Sequence, residues 1–157
     1  ESFKILKNSK INFFGVLIGK EVNRNKKLLE KIKKYKLSKN LKLFGPNEKI
    51  HEMMNIIDIG VLSSFSESFP NVIAELMSTK IPCISTNQGE AKRIIGKTGW
   101  TFKTGDAKNL AFIIKKAIKE FEEKANWNYR KKIARERILK LFSSKIMINH
   151  YKKLWKN

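Results

Sequence analysis

The sequence predicts an α/β fold with a parallel sheet of about five or six strands, helices on both faces and a helical C-terminal tail. Short apolar runs closed by glycine or proline alternate with segments whose apolar residues recur every three to four positions, as strands alternate with helices. Beyond Trp127 no run indicates a strand. Strands joined through helices form parallel sheets with right-handed crossovers. The expected architecture is therefore Rossmann-like, with its ligand site at the carboxyl ends of the strands.

Five apolar runs are the predicted strands, and they cover 10–19, 40–46, 58–62, 81–86 and 98–102. The segments between them have helical periodicity, at 28–37, 50–57, 70–78, 90–95 and 106–121. From Trp127 to its end we expect the chain to be helical, with a break near 142–144. Trp127 and Trp155 are expected to anchor these terminal helices by packing against them.

Length and composition favour one domain, because 157 residues with 41% hydrophobic content can bury a substantial core. The chain starts at Glu1 within a pattern, so we expect it to be part of a longer polypeptide. The one cysteine, Cys83, lies in an apolar run and is predicted to be a buried core residue. His51 and His150 are isolated, so no metal site is predicted. Without a signal peptide or an apolar run of about 20 residues, the expected compartment is the cytoplasm.

The net charge of +20 is compatible with a solvated surface, an anionic membrane or nucleic acid. Only five of the 34 basic residues are arginine, the residue that binds phosphate and guanine through a planar fork. The lysines are spread over predicted helix faces. We therefore favour a solvated surface, keep attraction to anionic lipid as an alternative, and expect no nucleic acid partner.

The stretch 61–77 carries the features that point to chemistry, because it joins the third strand to its helix. Pro70 has no amide hydrogen and a fixed φ, so the helix is expected to begin there with free amides at Asn71 and Val72. Such a helix end favours an anion, for example a diphosphate. Glu67 precedes this turn and Glu75 follows eight residues later. A carboxylate accepts hydrogen bonds from two vicinal hydroxyls, as recognition of a ribose or hexose requires.

These residues also resemble those of a known family. Asp58, the block 64–75 (SFSESFPNVIAE) and the run 81–89 (IPCISTNQG) together resemble the E-x7-E signature of retaining glycosyltransferases of family 4, which have the two-domain GT-B fold. The resemblance extends from Asn12 to about Phe121 and is densest over 58–105.

The resemblance implies a role for each matching residue. Glu75 would bind the ribose hydroxyls, and Glu67 would contact the donor sugar and act as the catalytic carboxylate beside the anomeric carbon. Loop amides would hold the sugar and the diphosphate, and the backbone after the second strand would hold the base. The positions concerned are Ser68, Phe69, Asn71 and Val72 for the loop, and Phe44 and Gly45 for the base. No metal or other cofactor is implied, because helix amides and cations stabilise the leaving diphosphate.

For the whole protein, the resemblance implies a hexosyltransferase that uses a nucleotide-diphosphate sugar and a glycan or lipid-linked acceptor. Residues 1–157 would be its C-terminal donor-binding domain, and the N-terminal acceptor domain would be absent, so this chain alone would transfer nothing. The last helix of this fold commonly crosses to the partner domain, so 142–155 would cover a face left open here. A role in cell-envelope polysaccharide biosynthesis at an anionic membrane face would suit the basic charge.

Four positions depart from the family pattern. Ser68 and Lys80 stand where glycine is usual, and Glu90 and Arg93 stand where a second glycine and a glutamate are usual. These differences concern the sugar pocket more than the fold. A sugar-nucleotide epimerase of the same fold and a basic binding module for membranes or nucleic acid remain alternatives. A dehydrogenase is disfavoured, because Gly15 and Gly19 lack the spacing of a dinucleotide-binding loop.

Overall fold

Helices and parallel strands alternate along the chain in the computed structural model, which describes residues 1–46 and 50–155. The structure divides into two compact units, 1–53 and 54–157. The first contains α1 (Ser2–Asn8), β1 (Gly15–Ile18), a 3₁₀ turn (Val22–Arg24), α2 (Lys26–Lys34) and β2 (Leu41–Phe44). A short helix, α3 (Ile50–Met54), runs across the boundary between the units. The second contains β3 (Gly60–Leu62), α4 (Asn71–Ser78), β4 (Cys83–Thr86), α5 (Ala91–Ile95), β5 (Trp100–Phe102), α6 (Ala107–Glu122), α7 (Lys124–Leu141) and α8 (Ser144–Leu154).

The first unit is built on the parallel pair of β1 and β2, in which Gly15 lies opposite Leu41. Its small core contains Ile32 of α2. The sequence prediction missed α1, whose Leu6 is fully buried and whose Phe3 ring stacks on Phe13 with centroids 5.3 Å apart. The spacing of Phe3 and Leu6, three residues apart, was the signal for this helix.

The second unit is built on a parallel sheet in the order β3-β4-β5. The central strand β4 is buried along its whole length, as is typical of a parallel strand covered on both faces. Helices α4 and α5 contact β4, and α6 contacts β5. The prediction that Cys83 is a core residue is confirmed, because the residue is 1% exposed.

The predicted α/β class, with parallel strands flanked by helices and a helical C-terminal end, is confirmed. The predicted sheet was too large. The described strands form two sheets, of two and three strands, instead of one sheet with five or six. Each strand has only three or four residues, and no described ladder joins β2 to β3. Apolar runs reveal strands but not their pairing, so the sequence did not show this division.

The C-terminal tail contains α7 and α8, and the predicted break falls at Phe142 and Ser143. Trp127 is 4% exposed and meets Phe121 edge-on, which confirms it as an anchor of α7. The same prediction for Trp155 is wrong, because its side chain is 82% exposed. No residue of α8 is buried, and a stripe of large apolar side chains lies exposed along it and at its C-cap: Met147, Ile148, Tyr151, Leu154 and, at the C-cap, Trp155.

Among the described residues, no helix combines the length and the apolarity that crossing a bilayer requires.

Three helices end in the same unusual way, with a lysine in the left-handed conformation. Lys10, Lys36 and Lys80 have φ values of 55°, 55° and 65° and follow α1, α2 and α4. After α4, the amide of Lys80 donates to Met77 and the amide of Ile81 donates to Leu76, both at 3.0 Å, which is the Schellman motif. Glycine is usual at this position because it has no Cβ to strain. The departure from the family pattern at Lys80 therefore affects the backbone conformation at the end of α4, outside the predicted sugar pocket.

We expect Lys80→Gly to raise the free energy of unfolding by about 0.5–1 kcal/mol. Relief of left-handed strain, about 1–2 kcal/mol, exceeds the extra chain entropy that glycine loses, about 0.5–1 kcal/mol. Urea unfolding followed by circular dichroism measures the difference. Lys103→Gly is the control, because Lys103 is exposed and has no left-handed φ, so that variant should be neutral or destabilised. A urea concentration at the unfolding midpoint that is equal to or lower than that of the parent would contradict the expectation for Lys80→Gly.

Candidate functional site

Three loops follow the carboxyl ends of β3, β4 and β5, and they cover 63–70, 87–90 and 103–106. Because the three strands are parallel, these loops lie along one edge of the sheet. This is the edge at which the sequence placed the ligand site. We call the loop 63–70, which carries Glu67, the acidic loop.

The acidic loop is tied to its neighbours by hydrogen bonds. The Thr86 hydroxyl donates to the carbonyl of Ser64 at 2.9 Å, and the amide of Glu90 donates to the carbonyl of Ser68 at 3.0 Å. The loop after β4 is tied in turn to the loop after β5, because the Gln88 side-chain amide donates to the Thr104 hydroxyl at 2.8 Å. The three loops thus form one connected edge.

Gly89 is the point of closest approach between the first two loops. Its φ is 50°, and a Cβ built there would collide with the backbone carbonyl oxygens of Glu67 and Ser68. Only glycine provides both this φ and this absence of side-chain volume. The backbone of Glu67 is therefore packed directly against the chain that leaves β4.

The acidic loop enters α4 through a tight turn at Pro70, a buried residue with φ −74° and ψ 84°. The amide of Asn71 donates to the carbonyl of Phe69 at 2.9 Å, as in an inverse γ-turn. The prediction that the Asn71 amide is free is therefore wrong, because the proline geometry directs that amide back to the loop. The helix begins at Asn71, and no side chain caps it. Within the described chain, no hydrogen bond occupies the amide of Val72.

Glu67 is half-buried in the acidic loop, and Glu75 is exposed on α4. No described side chain forms an ion pair or a hydrogen bond with either carboxylate. Helix α4 is fixed by its opposite side, where Ile73 and Met77 are buried. Val72 and Glu75 are three residues apart, so they lie on the same side of the helix. Glu75 therefore lies about one turn from the uncapped amino end, at an exposed position of α4.

The remaining predicted residues fall in two places. Ser68 and Phe69 are exposed in the acidic loop, as are Asn71 and Val72 at the start of α4. Phe44 and Gly45 lie in the first unit, where Phe44 ends β2 and the Asn23 side chain lies beside Gly45. Their predicted contact with the base stays a prediction.

A cluster that sequence reasoning missed lies beside the acidic loop. Glu90 and Arg93 form an ion pair, and the guanidinium of Arg93 lies 5.2 Å from the ring centroid of Phe142. The Phe142 ring also contacts Phe69, with centroids 6.2 Å apart and planes inclined at 58°. Two departures from the family pattern, Glu90 and Arg93, thus pair with each other. Their spacing of three residues at the start of a helix was the available signal.

Neither metal nor thiol chemistry is indicated by the described residues. They contain no group of three or more His, Cys, Asp or Glu that could hold a metal ion, and the side chain of His51 lies outside them. His150 is exposed on α8. Burial raises the pKa of the Cys83 thiol far above its ordinary value, so the thiolate that a nucleophile requires is disfavoured.

We expect Gly89→Ala to lower the free energy of unfolding by roughly 2–4 kcal/mol, because it combines left-handed strain with a backbone collision. Gly105→Ala is the matched control. Gly105 has φ 80° but no atom within 4 Å of a built Cβ, so only strain of about 1–2 kcal/mol applies. Denaturant unfolding measures the free energy of unfolding of both variants, and the difference between their losses is the contribution of the collision. Equal losses of stability would show that the contact with the acidic loop is unimportant.

The chain is similar to known proteins in sequence and in fold. Residues 1–134 match the family model of the glycosyl transferases group 1. The chain is 30% identical over 83 residues to a Bacillus subtilis (strain 168) protein named for teichuronic acid biosynthesis, the glycosyltransferase TuaC, and the match covers 52% of this chain and 20% of that protein.

Two solved structures are also similar. A glycosyltransferase from Rickettsia africae matches with 23% identity and a TM-score of 0.89 over 99% of this chain and 42% of its own. Anabaena Alr3699/HepE in complex with UDP-glucose matches with 25% identity and a TM-score of 0.67 over 79% of this chain and 36% of its own. The chain thus spans less than half the length of these relatives. Because the family model covers most of the 157 residues, the chain belongs to the glycosyl transferases group 1 family.

Proposed function

We propose that this chain is the donor-binding domain of a retaining glycosyltransferase of family 4 and that it binds a nucleotide-diphosphate sugar at the amino end of α4. The observation that carries this proposal is the uncapped start of α4, with the exposed residue Glu75 about one turn further along the helix. A helix amino end attracts a diphosphate, and a carboxylate one turn away suits the adjoining ribose hydroxyls.

The acidic loop supplies the sugar contacts in this proposal. Glu67 is half-buried and has no described side-chain partner, so its carboxylate can accept hydrogen bonds from a hexose. Its backbone is fixed by the contact with Gly89, which holds the carboxylate in place before the donor arrives. The amides of Ser68 and Phe69 add further donors beside it.

The mechanism that follows is electrostatic and positional. The acceptor hydroxyl attacks the face from which the diphosphate departs, so the anomeric configuration is retained. As the bond to the diphosphate breaks, the sugar gains oxocarbenium character and Glu67 stabilises its positive charge, while a diphosphate oxygen takes the acceptor proton. The amide of Val72 and the dipole of α4 stabilise the leaving diphosphate. No metal is required for any of these steps.

For the donor we propose a UDP-hexose, because the Anabaena relative of 25% identity was crystallised with UDP-glucose. For the acceptor we propose a glycan or lipid-linked glycan of the cell envelope, which the name of the Bacillus subtilis relative supports.

Thermal-shift measurements with UDP, GDP, ADP and UDP-glucose test the donor. An upward shift with the uridine compounds alone is expected, and no shift with any of the four would refute the proposal.

The exposed apolar stripe on α8 supports a further domain. We propose that α8 covers part of an N-terminal acceptor domain, since four large apolar side chains on one short helix and a fifth at its C-cap are unusual in contact with water. We also propose a cytoplasmic location, at the inner face of the membrane, because the charge of +20 favours anionic lipid.

Two alternatives share some of these features. An epimerase of the same fold would bind the same nucleotide sugar, and only the product of the whole protein distinguishes it. A basic module for membranes or nucleic acid would leave Glu67 and Glu75 without a ligand. Salt-dependent DNA binding without any affinity for nucleoside diphosphates would favour that module.

We expect Glu75→Ala to weaken UDP binding about tenfold to hundredfold, because hydrogen bonds from the ribose to a charged carboxylate are lost. The affinity for inorganic pyrophosphate should not fall, because pyrophosphate has no ribose and the variant removes a negative charge near the anion. Isothermal titration calorimetry measures both. Glu122→Ala, at an exposed glutamate of α6, is the matched control and should bind both ligands like the parent. Equal UDP affinity in the two variants would remove Glu75 from the site.

Vesicle pelleting tests the membrane proposal. We expect the chain to sediment with vesicles that contain phosphatidylglycerol and to stay in the supernatant with pure phosphatidylcholine. Binding should fall steeply as salt shortens the screening length from about 10 Å at about 0.1 M to about 3 Å at about 1 M. Sedimentation that is independent of anionic lipid would contradict the proposal and leave the donor site unaffected.

A further inference from the structure

The acidic loop is supported on two sides, and the second support comes from a distant part of the sequence. On one side, the loop packs against Gly89 and accepts a hydrogen bond from the amide of Glu90. On the other side, the ring of Phe69 contacts the ring of Phe142, which lies at the break between α7 and α8. Phe142 follows Phe69 by 73 residues. The contact therefore belongs to the tertiary structure of the second unit.

The geometry of this contact is favourable. A centroid distance of 6.2 Å and an inclination of 58° fall within the range of attractive aromatic pairs. The Arg93 guanidinium, 5.2 Å from the Phe142 centroid, is within the distance of a cation–π interaction. Arg93 is itself held by its ion pair with Glu90, whose amide binds Ser68. These contacts therefore form a closed network, which starts from Phe69 and returns to the acidic loop at Ser68.

The surroundings of Phe142 are rigid on the side of α7. Arg137 precedes Phe142 by five residues, and its guanidinium donates to the carbonyls of Arg93 at 2.6 Å and Ile94 at 2.8 Å. Ala134 and Ile138 of α7 are buried. These contacts fix the end of α7 against α5, so Phe142 presents its ring to Phe69 from a fixed position.

We propose that Phe142 is a positioning residue for the acidic loop. By holding the loop in place, Phe142 raises the affinity for the sugar of the donor and does not affect the affinity for the nucleotide. The inference rests on the proposed function, in which Glu67, Ser68 and Phe69 contact the sugar. The nucleotide contact of Glu75 is separate, because Glu75 lies on α4, which is held by the buried residues Ile73 and Met77 and by contacts with β4 and with the body of α7. A more mobile acidic loop would therefore weaken the contacts with the sugar and leave the contacts with the nucleotide unchanged.

Calorimetry with UDP and with UDP-glucose tests this separation. In Phe142→Ala we expect the affinity for UDP to be unchanged and the affinity for UDP-glucose to fall about threefold to tenfold, the change in an equilibrium that one aromatic contact provides. Phe142→Tyr retains the ring and should restore the parental affinity. Phe112→Ala is the matched control, because Phe112 is 67% exposed on α6 and makes no described ring contact.

Hydrogen exchange of the Glu90 amide, which donates to the carbonyl of Ser68 in the acidic loop, provides a readout that does not require a ligand. This amide should exchange faster in Phe142→Ala than in Phe112→Ala, and the hydrogen-bonded amides within α4 should not change. Equal loss of UDP and UDP-glucose affinity, or no loss of either, would overturn the inference while leaving the donor site intact. A parent chain that binds neither ligand would overturn the proposed function, and the exchange comparison would still decide whether Phe142 controls the loop.

Discussion

The backbone of Gly89 touches the backbone of Glu67 and Ser68, and the proposed chemistry depends on that contact. A carboxylate on a freely moving loop would lose conformational entropy each time it bound a sugar. Here the loop is already packed against the chain that leaves β4, and hydrogen bonds at Ser64 and Ser68 hold it at two further points. The short three-stranded sheet matters chiefly because it brings these two loops to one edge.

Local patterns in the sequence revealed most of the fold. Apolar runs marked all five strands that the structure describes, and Asp106 marked the start of α6, where its side chain accepts a hydrogen bond from the Asn109 amide at 2.8 Å. The pairing of strands into two sheets was not predictable, because it depends on contacts between distant segments. The left-handed lysines were also hidden, since the side chain gives no sign of its φ.

The candidate site was only partly predictable. Glu67, Pro70 and Glu75 could be singled out because they lie in or just after the loop that joins a strand to its helix, and their roles, which the family resemblance implies, stay predictions. The bound amide of Asn71 could not, because it results from ψ at Pro70, which the proline ring does not fix. Phe142 was also missed, because its relation to Phe69 exists only in three dimensions.

The position of Cys83 has a practical consequence. The only thiol in the chain is sealed inside β4, with its sulfur 3.3 Å from the carbonyl oxygen of Ile81, and burial raises its pKa. Alkylating reagents require a thiolate, so they should leave this residue untouched while the protein is folded. A single cysteine introduced at an exposed position such as Ser66 could then carry a fluorophore or a spin label without background reaction. A label at that position would report on the conformation of the acidic loop alone.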